Sequence, residues 1–386
     1  MIRTLSILLC FVLYVALSCV DPFNPPQAES TTQYLVVDGI VDLADPESRI
    51  RLSRSMPLNQ REAPVPVSGA EVRIELEDGT LFFLPEVAFG EYSATGVTLN
   101  DGQTCKLNIL INSVEQYVSD PVTFRESPPI DSITWSSDGR EVSFEVTTHD
   151  GEGDSRYYRW KTVETTMYNS THNSVLIWDP VLEQVRNRLP EEWIYYCWKT
   201  TPFSDIDIFS TKGLAEDKVI KHRIFSIPAN SWKLGVKYSL QVKQFVIDQD
   251  EFNFWTELRK NTESIGTIFD PQPTQVTGNI NSIDPDMPKA LGYFSIGRSA
   301  EDRIFVSVTE LPHPDGGYER ALPICDPFDV DTIFVSDYLA SDKSMLIING
   351  VTLGAPFIIA YLSAPTYCID CRIIHGGTNR RPEFWE

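Results

Sequence analysis

The sequence predicts a mainly β protein, in which an N-terminal β-sandwich is followed by a larger β-rich domain with an aromatic insertion and one main helix. Short segments of alternating apolar and polar residues, bounded by turn residues, recur from Tyr34 onward, as is typical of β-strands. Residues 248–266 alone combine helical spacing with strong helix start and stop signals. With 386 residues, 42% of them hydrophobic, the chain is long enough for two globular domains.

The first 32 residues have the pattern of an exported, lipid-anchored protein. Arg3 precedes an apolar stretch over residues 5–17, which is too short to cross a bilayer and is typical of a secretory signal peptide. It ends in ALSC, which resembles the bacterial lipoprotein cleavage box, whose cysteine is acylated and becomes the first mature residue. We therefore expect a signal peptide over residues 1–18, a lipid on Cys19 and a Pro-rich tether over residues 19–32. The alternatives are an uncleaved anchor and an ordinary signal peptide with an incidental cysteine.

The chain is strongly acidic. It has 54 Asp and Glu residues against 32 Lys and Arg residues, a formal net charge of −22. Loss of Arg3 with the signal peptide leaves 31 basic against 54 acidic side chains, a net charge of −23. This balance argues against a nucleic-acid partner, because phosphates are bound by Lys and Arg clusters. It also argues against electrostatic binding to anionic lipids, so membrane attachment is expected to depend on the lipid on Cys19.

Residues 33–127 are predicted to form the β-sandwich. The clearest segment is AEVRIELEDGTLFFL, in which Val72 and Ile74 alternate with charged residues before an Asp-Gly hairpin turn. Similar segments before and after it suggest about seven short strands within roughly 95 residues, which suits a small sandwich. Pro128 and Pro129 mark the end of this domain, because consecutive prolines interrupt regular structure.

Residues 128–386 are predicted to form the second, β-rich domain. Its strands include EVSFEVTTH, RYYRWKTVET and KYSLQVKQFVI, and strand signals return after the helix in VTGNINSI, ALGYFSI and RIFVSVTEL. The helix is predicted over about residues 250–264. Asp248 or Asp250 caps its start, and Gly266 follows its end.

Residues 169–214 have no clean periodicity and carry several large aromatic side chains, so we interpret them as an irregular insertion. Large apolar surface is unfavourable in water, so these rings are covered either by the chain itself or by a partner. Aromatic residues dominate the centres of protein interfaces, and we therefore predict a partner-contact surface here. The residues predicted to form it are Trp178, Trp193, Tyr196 and Trp198.

Five cysteines follow the predicted lipidation site, and disulfides are expected in an exported chain. Cys105 lies in an alternating apolar strand and is predicted to be a buried free thiol. The other four cysteines form two disulfides in one of three connectivities. These four are Cys197, Cys325, Cys368 and Cys371. An alternative is a zinc site made by three of them with His375, since CIDCRIIH has a suitable ligand spacing, whereas a thioredoxin-like role lacks the expected βαβ context.

Other patterns point less clearly to chemistry. HDGEGDS, residues 149–155, places three carboxylates at alternate positions, but it lacks the distant Glu of a calcium loop, so we predict a solvated hairpin turn. FDPQPTQVTGN, residues 269–279, fits either a rigid crossover between helix and sheet or a surface ridge presented to a partner. The sequence contains no HExxH, GxSxG or P-loop motif. We therefore predict no catalytic residue, no metal and no cofactor.

The order of several segments resembles one known family. The landmarks include LVVDGIV, PVSGAEV, PIDSITW, YSLQVKQF, CIDC and RPEFW, and the most specific block is residues 252–280. Over about residues 34–385 the chain resembles domain-of-unknown-function family 4249, lipoproteins of Bacteroidota that are often encoded beside TonB-dependent outer-membrane receptors. This resemblance implies an outer-membrane lipoprotein whose partner is a TonB-dependent receptor, and it implies no reaction.

A second resemblance concerns the predicted sandwich alone. PVSGAEVRIELEDGTLFFL, followed by GEYS, resembles the transthyretin-like β-sandwich of carboxypeptidase regulatory domains. It implies an immunoglobulin-like or transthyretin-like fold for residues 33–127.

Together these observations lead us to expect an outer-membrane-anchored lipoprotein that acts as a binding or accessory subunit of a TonB-dependent receptor. It would capture or position a ligand or stabilise the receptor, on either the periplasmic or the cell-surface face of the membrane. The alternative is a structural or assembly factor for outer-membrane proteins that binds no small ligand. A surface hydrolase is the third reading, and no catalytic motif supports it.

Overall fold

The structure is a computed structural model that describes residues 33–56, 63–263, 276–312, 314, 317, 325–331 and 345–385. The predicted signal peptide, the lipidation site at Cys19 and the tether over residues 19–32 lie outside the described residues. Across those ranges, no helix combines the length and the apolar character that a membrane span requires.

The described parts of the chain are mainly β, as the alternating sequence segments predict. The strands up to the middle of the chain are β1 (Leu35–Asp42), β2 (Arg49–Arg54), β3 (Val65–Pro66), β4 (Glu71–Leu76), β5 (Leu81–Leu84), β6 (Glu86–Ala88), β7 (Glu91–Ser93), β8 (Thr104–Ile111), β9 (Glu115–Ser119), β10 (Val122–Thr123), β11 (Arg125–Glu126), β12 (Ile130–Ser137), β13 (Glu141–His149) and β14 (Tyr157–Asn169). The later strands are β15 (Leu176–Asp179), β16 (Gln184–Asn187), β17 (Tyr196–Pro202), β18 (Asp207–Ser210), β19 (Lys218–Pro228), β20 (Lys237–Val246), β21 (Ile280–Ser282), β22 (Leu291–Arg298), β23 (Ala300–Ser307), β24 (Phe328–Asp331), β25 (Met345–Val351) and β26 (Ala360–Pro365). The helices are α1 (Gln249–Glu263), α2 (Thr366–Ile369) and α3 (Cys371–His375), and 3₁₀ turns lie at Pro190–Glu192 and Trp232–Leu234.

Two sheets pack face to face to form the first sandwich. One has the strand order β11-β22-β1-β2-β7-β6 with β3 beside β2, and the other has the order β21-β9-β8-β4-β5 with β10 beside β8. Alternate side chains of each strand fill the space between the sheets, as Val72, Ile74 and Leu76 do on β4. Cys105 on β8 is a free thiol in this core, as predicted, and burial raises the pKa of Cys105 to about 12.

The first domain does not end at residue 127 as predicted, because two later strands complete its sheets. β21 pairs with β9, and β22 lies parallel to β1 along seven residue pairs, from Val36 with Leu291 to Asp42 with Gly297. Parallel neighbours require a long connection, and here the second domain forms that connection. The predicted boundary marks where the chain leaves the sandwich, whereas the return of the chain depends on pairing that no local pattern encodes.

Two further sheets form a second sandwich. They have the orders β12-β13-β19 and β17-β14-β20-β23, and β18 pairs with β14. Their core includes Trp160 and Tyr238, both essentially inaccessible to solvent. Gln244, also fully buried, accepts a hydrogen bond from Trp160 Nε1 at 3.0 Å and donates to Thr148 Oγ1 and the Pro128 carbonyl at 3.0 and 2.9 Å. The buried Gln244 amide thus links the two sheets, and both its oxygen and its nitrogen have hydrogen-bond partners.

α1 follows β20 and lies within one residue of the helix predicted over residues 250–264. Asp248 is the capping residue, since its Oδ1 accepts a hydrogen bond from the backbone N–H of Glu251 at 2.7 Å. Glu251 is buried and accepts hydrogen bonds from Trp255 and Ser295, which places α1 against β22. The first half of the predicted crossover or ridge, residues 269–275, lies outside the described residues.

Residues 169–214 are not a single irregular insertion. β17 and β18 pair with β14 and belong to the second sandwich, whereas β15 and β16 form a separate hairpin. β17 shows no polar and apolar alternation because its two faces hold apolar residues for different reasons. Cys197 faces a small core around Tyr168, and Trp198 faces a cavity described below.

The C-terminal part of the described chain packs against β17 and carries both disulfides. The structure selects one of the three connectivities that the sequence allows. The disulfides are Cys197–Cys371 and Cys325–Cys368. The first joins β17 to α3, and the second joins the residues before β24 to α2. Because all four sulfur atoms are paired, the alternative zinc site is not formed, and His375 instead stacks on Trp232 with ring centroids 3.5 Å apart.

Candidate functional site

A cavity of about 750 Å³ opens beside β17, and we call it the aromatic pocket. It brings together side chains from three distant parts of the sequence, because β17 pairs with β14 while the residues after α3 pack on β17. Its described lining residues are Met167, Asn173, Ser174, Val175, Asn187, Arg188, Pro190, Trp193, Tyr195, Tyr196, Trp198, Lys237, Asn379, Arg381 and Trp385.

Three of the four predicted contact residues line this pocket. Trp193 is 62% exposed, Tyr196 is 43% exposed and Trp198 is half-buried. Strand alternation places Tyr196 and Trp198 on the pocket face of β17 and the buried Cys197 on the opposite face. Trp178 lies on β15 and is not a lining residue, so the structure separates it from the other three.

The residues after α3 form a second wall of the pocket. The backbone N–H groups of Trp198 and Thr378 each donate to the carbonyl of the other residue, at 2.8 and 2.9 Å. Gly377 donates its backbone N–H to Tyr168 Oη at 2.9 Å. A Cβ atom on Gly377 would lie 2.6 Å from the carbonyl oxygen of Trp198, which is far closer than van der Waals contact allows. This wall can therefore approach β17 only with glycine at position 377.

Two further hydrogen bonds position the rim of this wall. The Asn379 side-chain amide donates to the Trp193 carbonyl at 2.8 Å, and Arg381 Nε donates to the Trp385 carbonyl at 2.8 Å. Trp385 is buried and meets the Trp198 ring edge to face, with centroids 6.4 Å apart. The aromatic rings of the pocket are thus held in defined orientations by backbone and side-chain contacts.

The lining of the pocket is basic, although the protein is strongly acidic. Arg188, Lys237 and Arg381 are among the described lining residues, and no Asp or Glu is among them. Lys237 Nζ lies 4.7 Å from the ring centroid of Phe305 and 5.9 Å from that of Trp385, which are cation–π distances. The local charge of the pocket is therefore opposite in sign to the charge of the whole chain.

Arg188 is the most buried of these cations, with 8% of its surface exposed. Its Nε donates to Ser174 Oγ at 2.9 Å and its Nη1 to the Glu192 carbonyl at 3.2 Å. Its Nη2 is buried without an acceptor in the described residues. The Glu192 carboxylate is bound instead by Arg186, at 2.7 and 2.8 Å, which lowers the pKa of Glu192 to about 2. Burial lowers the pKa of Arg188, but an arginine side chain stays protonated in proteins.

Trp198 contributes a second buried donor. Its indole Nε1 is inaccessible to solvent and has no acceptor among the described residues. Buried polar atoms are nearly always hydrogen-bonded in folded proteins, so two such donors in the walls of one cavity are unusual. Both nitrogens belong to residues that line the aromatic pocket, but water does not reach either nitrogen.

The turn at residues 149–155 is not the predicted hairpin, because the strands it joins, β13 and β14, belong to different sheets, so it carries the chain from one sheet of the second sandwich to the other. The Asp150 carboxylate accepts the backbone N–H groups of Glu152, Asp154 and Ser155 at 2.9 to 3.1 Å, so it caps its own turn. In the described ranges, no group of three or more His, Cys, Asp or Glu side chains has an arrangement that could hold a metal ion.

Sequence analysis did not identify the basic residues of the pocket or Trp385. Arg188 stands in the segment predicted to be an irregular insertion and Lys237 at the start of a predicted strand, and their contribution to the pocket depends on the packing of the residues after α3. The RPEFW segment, which contains Arg381 and Trp385, was interpreted only as a family landmark. Its pairing of a cation with an aromatic ring was the one local signal of a site.

The sequence comparisons identify a family. The family described as "Domain of unknown function (DUF4249)" matches residues 20–303. No curated protein matches the chain. One solved structure similar to this chain is a two fibronectin type-III domain segment from chicken tenascin, with 12% sequence identity, a TM-score of 0.15, and coverage of 55% of this chain and 91% of that chain. Because the family match spans well over half of the 386 residues, the chain belongs to the domain-of-unknown-function family DUF4249.

Proposed function

We propose that this protein is an outer-membrane lipoprotein that binds a small ligand in the aromatic pocket and acts as an accessory subunit of a TonB-dependent receptor. The pocket is the observation that supports this most directly. Its volume of about 750 Å³ lies within the range of roughly 300–1,000 Å³ that is common for small-molecule sites. Its walls are joined by the Cys197–Cys371 disulfide and by the hydrogen bonds between Trp198 and Thr378, so the cavity is formed before a ligand enters.

The exposed rings of the pocket support a binding role. Trp193 leaves 62% of its surface in contact with water. Exposed apolar surface is unfavourable by about 25 cal/mol per Å², so a ligand that covers this ring gains free energy of binding. None of the described lining residues is a histidine or a carboxylate, the groups that most often act as general bases. This composition favours binding over catalysis.

Anchoring to the membrane is supported by the sequence before residue 33. The apolar stretch that ends at Cys19 resembles a lipoprotein box, and several buried acyl methylenes, each contributing about 0.8 kcal/mol, hold a protein stably on a bilayer. The family resemblance supports the outer membrane as the location and a TonB-dependent receptor as the partner.

An apolar surface near the pocket supports a protein partner. The turn between β15 and β16 exposes Val181 and Leu182, with 88% and 58% of their surfaces accessible. Together they form an apolar tip on the segment that supplies much of the pocket lining. Contiguous exposed apolar residues mark interaction sites. We propose that this apolar tip contacts the receptor.

The test is co-purification of the full chain from detergent-solubilised membranes of the organism that makes it. We expect a TonB-dependent receptor as the main partner. A variant with Val181→Ser and Leu182→Ser should lose roughly tenfold in receptor recovery with little change in melting temperature, because exposed side chains contribute little to stability. Val114→Ser is the matched control, since Val114 is 82% exposed on the turn between β8 and β9.

The same experiment separates the proposed role from its alternative. Recovery of outer-membrane assembly machinery as the main partner, without a receptor, would contradict the accessory role and favour the structural or assembly factor. Equal receptor recovery by the apolar-tip variant and by the control would place the receptor contact elsewhere on the molecule.

A further inference from the structure

We infer that the aromatic pocket selects ligands that combine a ring face with a carboxylate, and that Arg188 provides the charge that selects them. This inference rests on the proposed function, because it names the ligand class for the same pocket. It depends on three observations: the exposed ring faces, the buried cation Arg188 in the pocket wall, and a described lining that holds three basic residues and no carboxylate.

The ring faces define the first part of the ligand. Trp193 and Tyr196 are the most exposed aromatic residues of the pocket, while Trp198 and Trp385 meet edge to face and are more buried. An exposed indole or phenol face pairs with another ring by offset stacking, and it also covers the apolar face of a sugar ring. The pocket therefore favours a ligand with a flat or puckered ring over a flexible aliphatic chain.

The unpaired cation defines the second part. Within the described residues, no carboxylate oxygen lies within 4.0 Å of a guanidinium nitrogen of Arg188, whereas Arg186 pairs with both Asp179 and Glu192. Glu192 and Asp370 offset part of this charge from a distance, but without a carboxylate in contact the buried guanidinium still raises the electrostatic potential of the adjoining cavity. An anion in the cavity is favoured by this potential, and no described lining carboxylate opposes it.

The donor-rich lining indicates the type of anionic group. The charged side chains among the described lining residues, Arg188, Lys237 and Arg381, carry hydrogen-bond donors and no acceptor. An ionised carboxylate only accepts hydrogen bonds, and its two oxygens can serve two donors. Hydrogen bonds between an ionised donor and an ionised acceptor are roughly twice as strong as neutral ones, so a carboxylate gains more here than a neutral amide or hydroxyl.

The test measures binding to the full chain in detergent by titration calorimetry with two pairs of probes. The first pair is 2-naphthoate and its neutral counterpart 2-naphthamide, and the second is a galacturonate trimer and the corresponding galactose trimer. In at least one pair we expect the carboxylate to bind about tenfold more tightly than the neutral probe. The pair that shows this preference identifies the ring as aromatic or saccharide. Equal affinity within both pairs, or no binding by either carboxylate, would overturn the inference.

Substitutions at two buried arginines test the role of Arg188. Arg188→Gln should reduce the preference for the carboxylate to less than about threefold, while changing the affinity for the neutral probe little. Arg159→Gln is the matched control, because Arg159 is equally buried and also has guanidinium nitrogens without acceptors, but it stacks on Trp255 and is not a described lining residue of the pocket. The ratio between two probes of the same size is measured on folded protein only, so it stays informative if a variant is less stable. An unchanged ratio in Arg188→Gln would remove Arg188 from the inference.

The aromatic contribution has its own matched pair. Trp193→Ala should weaken the binding of every probe that binds by roughly tenfold, whereas Trp178→Ala, outside the pocket, should not. Failure of this inference is also distinct from failure of the proposed function. Receptor recovery without carboxylate preference would overturn the ligand class alone, and carboxylate preference without receptor recovery would overturn the receptor partnership alone.

Discussion

Cys197 and Trp198 are adjacent residues on β17 with opposite environments. Cys197 is fully buried in a disulfide, and Trp198 lines the aromatic pocket, with no acceptor for its indole N–H in the part of the chain that the structure describes. Trp160, by contrast, is a core tryptophan whose N–H is satisfied by Gln244. At the scale of single residues, the two tryptophans therefore differ in whether the indole N–H has an acceptor among the described residues.

His375 gives a prediction at this scale, on pH dependence. It stacks on Trp232, and burial, followed by the charge of Lys199, lowers the pKa of His375 to about 4. In the unfolded chain a histidine has a pKa of about 6.5. Between these two values the unfolded chain binds a proton that the native chain does not, so the free energy of unfolding decreases as the pH falls through this window.

We therefore expect His375→Phe, which retains an aromatic ring against Trp232, to lose less stability than the wild type between about pH 6.5 and pH 5. Urea unfolding of both proteins at several pH values measures the difference. Curves of unfolding free energy against pH that run parallel for the two proteins would show that His375 does not titrate in this way.

At the scale of elements, the residues after α3 act as a wall that is attached to β17 at a few points. The attachments include the two backbone hydrogen bonds of Thr378, the disulfide of Cys371 and the edge-to-face contact of Trp385 with Trp198. None of these depends on a large apolar core. The position of the wall, and with it the shape of the pocket, should therefore be sensitive to single changes.

The first change is Gly377→Ala. The added methyl group would overlap the Tyr168 hydroxyl and the Trp198 carbonyl, so the wall must move away from β17. We expect a clear loss of pocket binding and destabilisation of about 1–3 kcal/mol, as for other overpacked sites. Gly213→Ala is the control, because a Cβ atom at Gly213 meets no atom within 4 Å. Unchanged binding by Gly377→Ala would mean that the wall is not held by this contact.

The second change removes the disulfides in pairs. Cys197→Ser with Cys371→Ser should lower the free energy of unfolding by roughly 2–5 kcal/mol and weaken pocket binding, since this bridge ties β17 to α3. Cys325→Ser with Cys368→Ser should lower stability by a similar amount but affect the pocket less, because none of its cysteines adjoins a described lining residue. Melting curves and probe titrations of both variants compare the two effects. Wild-type stability in either variant would contradict the assigned pairing.

At the scale of the whole molecule, the N-terminal sandwich depends on residues far along the chain. β22 lies between β1 and β11, and β21 forms the edge beside β9. Phe294 and Ile280 from these strands are fully buried in the core of the first sandwich. The first sandwich is therefore discontinuous in sequence. The chain leaves it after β11, builds most of the second sandwich, and then returns to it with β21 and β22.

A fragment of residues 33–127 tests this arrangement. Without β21 and β22 it exposes the edge of β1 and loses core side chains, so we expect no cooperative unfolding transition. A fragment of residues 33–312, which retains both sandwiches, should unfold cooperatively under reducing conditions. Circular dichroism during urea titration compares the two, and a sharp transition in the short fragment would show that the first sandwich is independent of residues 280–298.

The location of the protein is also a property of the whole chain. If Cys19 carries the lipid, Cys19→Ser should move the protein from the membrane fraction to the soluble fraction and abolish palmitate labelling. Cys105→Ser is a suitable control, because Cys105 is buried in the first sandwich. Membrane retention of the Cys19 variant would contradict the lipoprotein assignment.

The sequence by itself determined the class of structure and several local features. Alternation fixes strands because the side-chain period of a strand is two, and Asp248 fixes the start of α1 because it can cap the helix. It also separated the buried thiol of Cys105 from the four paired cysteines, and it drew attention to Trp193, Tyr196 and Trp198. These are local or compositional properties, and each can be inferred from neighbouring residues.

The tertiary structure alone decided which strands share a sheet, which cysteines pair and which aromatic residues line a cavity. The pairing of β22 with β1 joins residues about 250 positions apart, and the pocket combines Arg188, Lys237 and Trp385. The entropy cost of closing a loop rises only slowly with the length of the loop, so separation along the chain does little to favour one distant strand over another as a pairing partner. The choice is made by burial and hydrogen bonding in the folded chain, and for that reason the pocket became visible only when the residues after α3 were placed against β17.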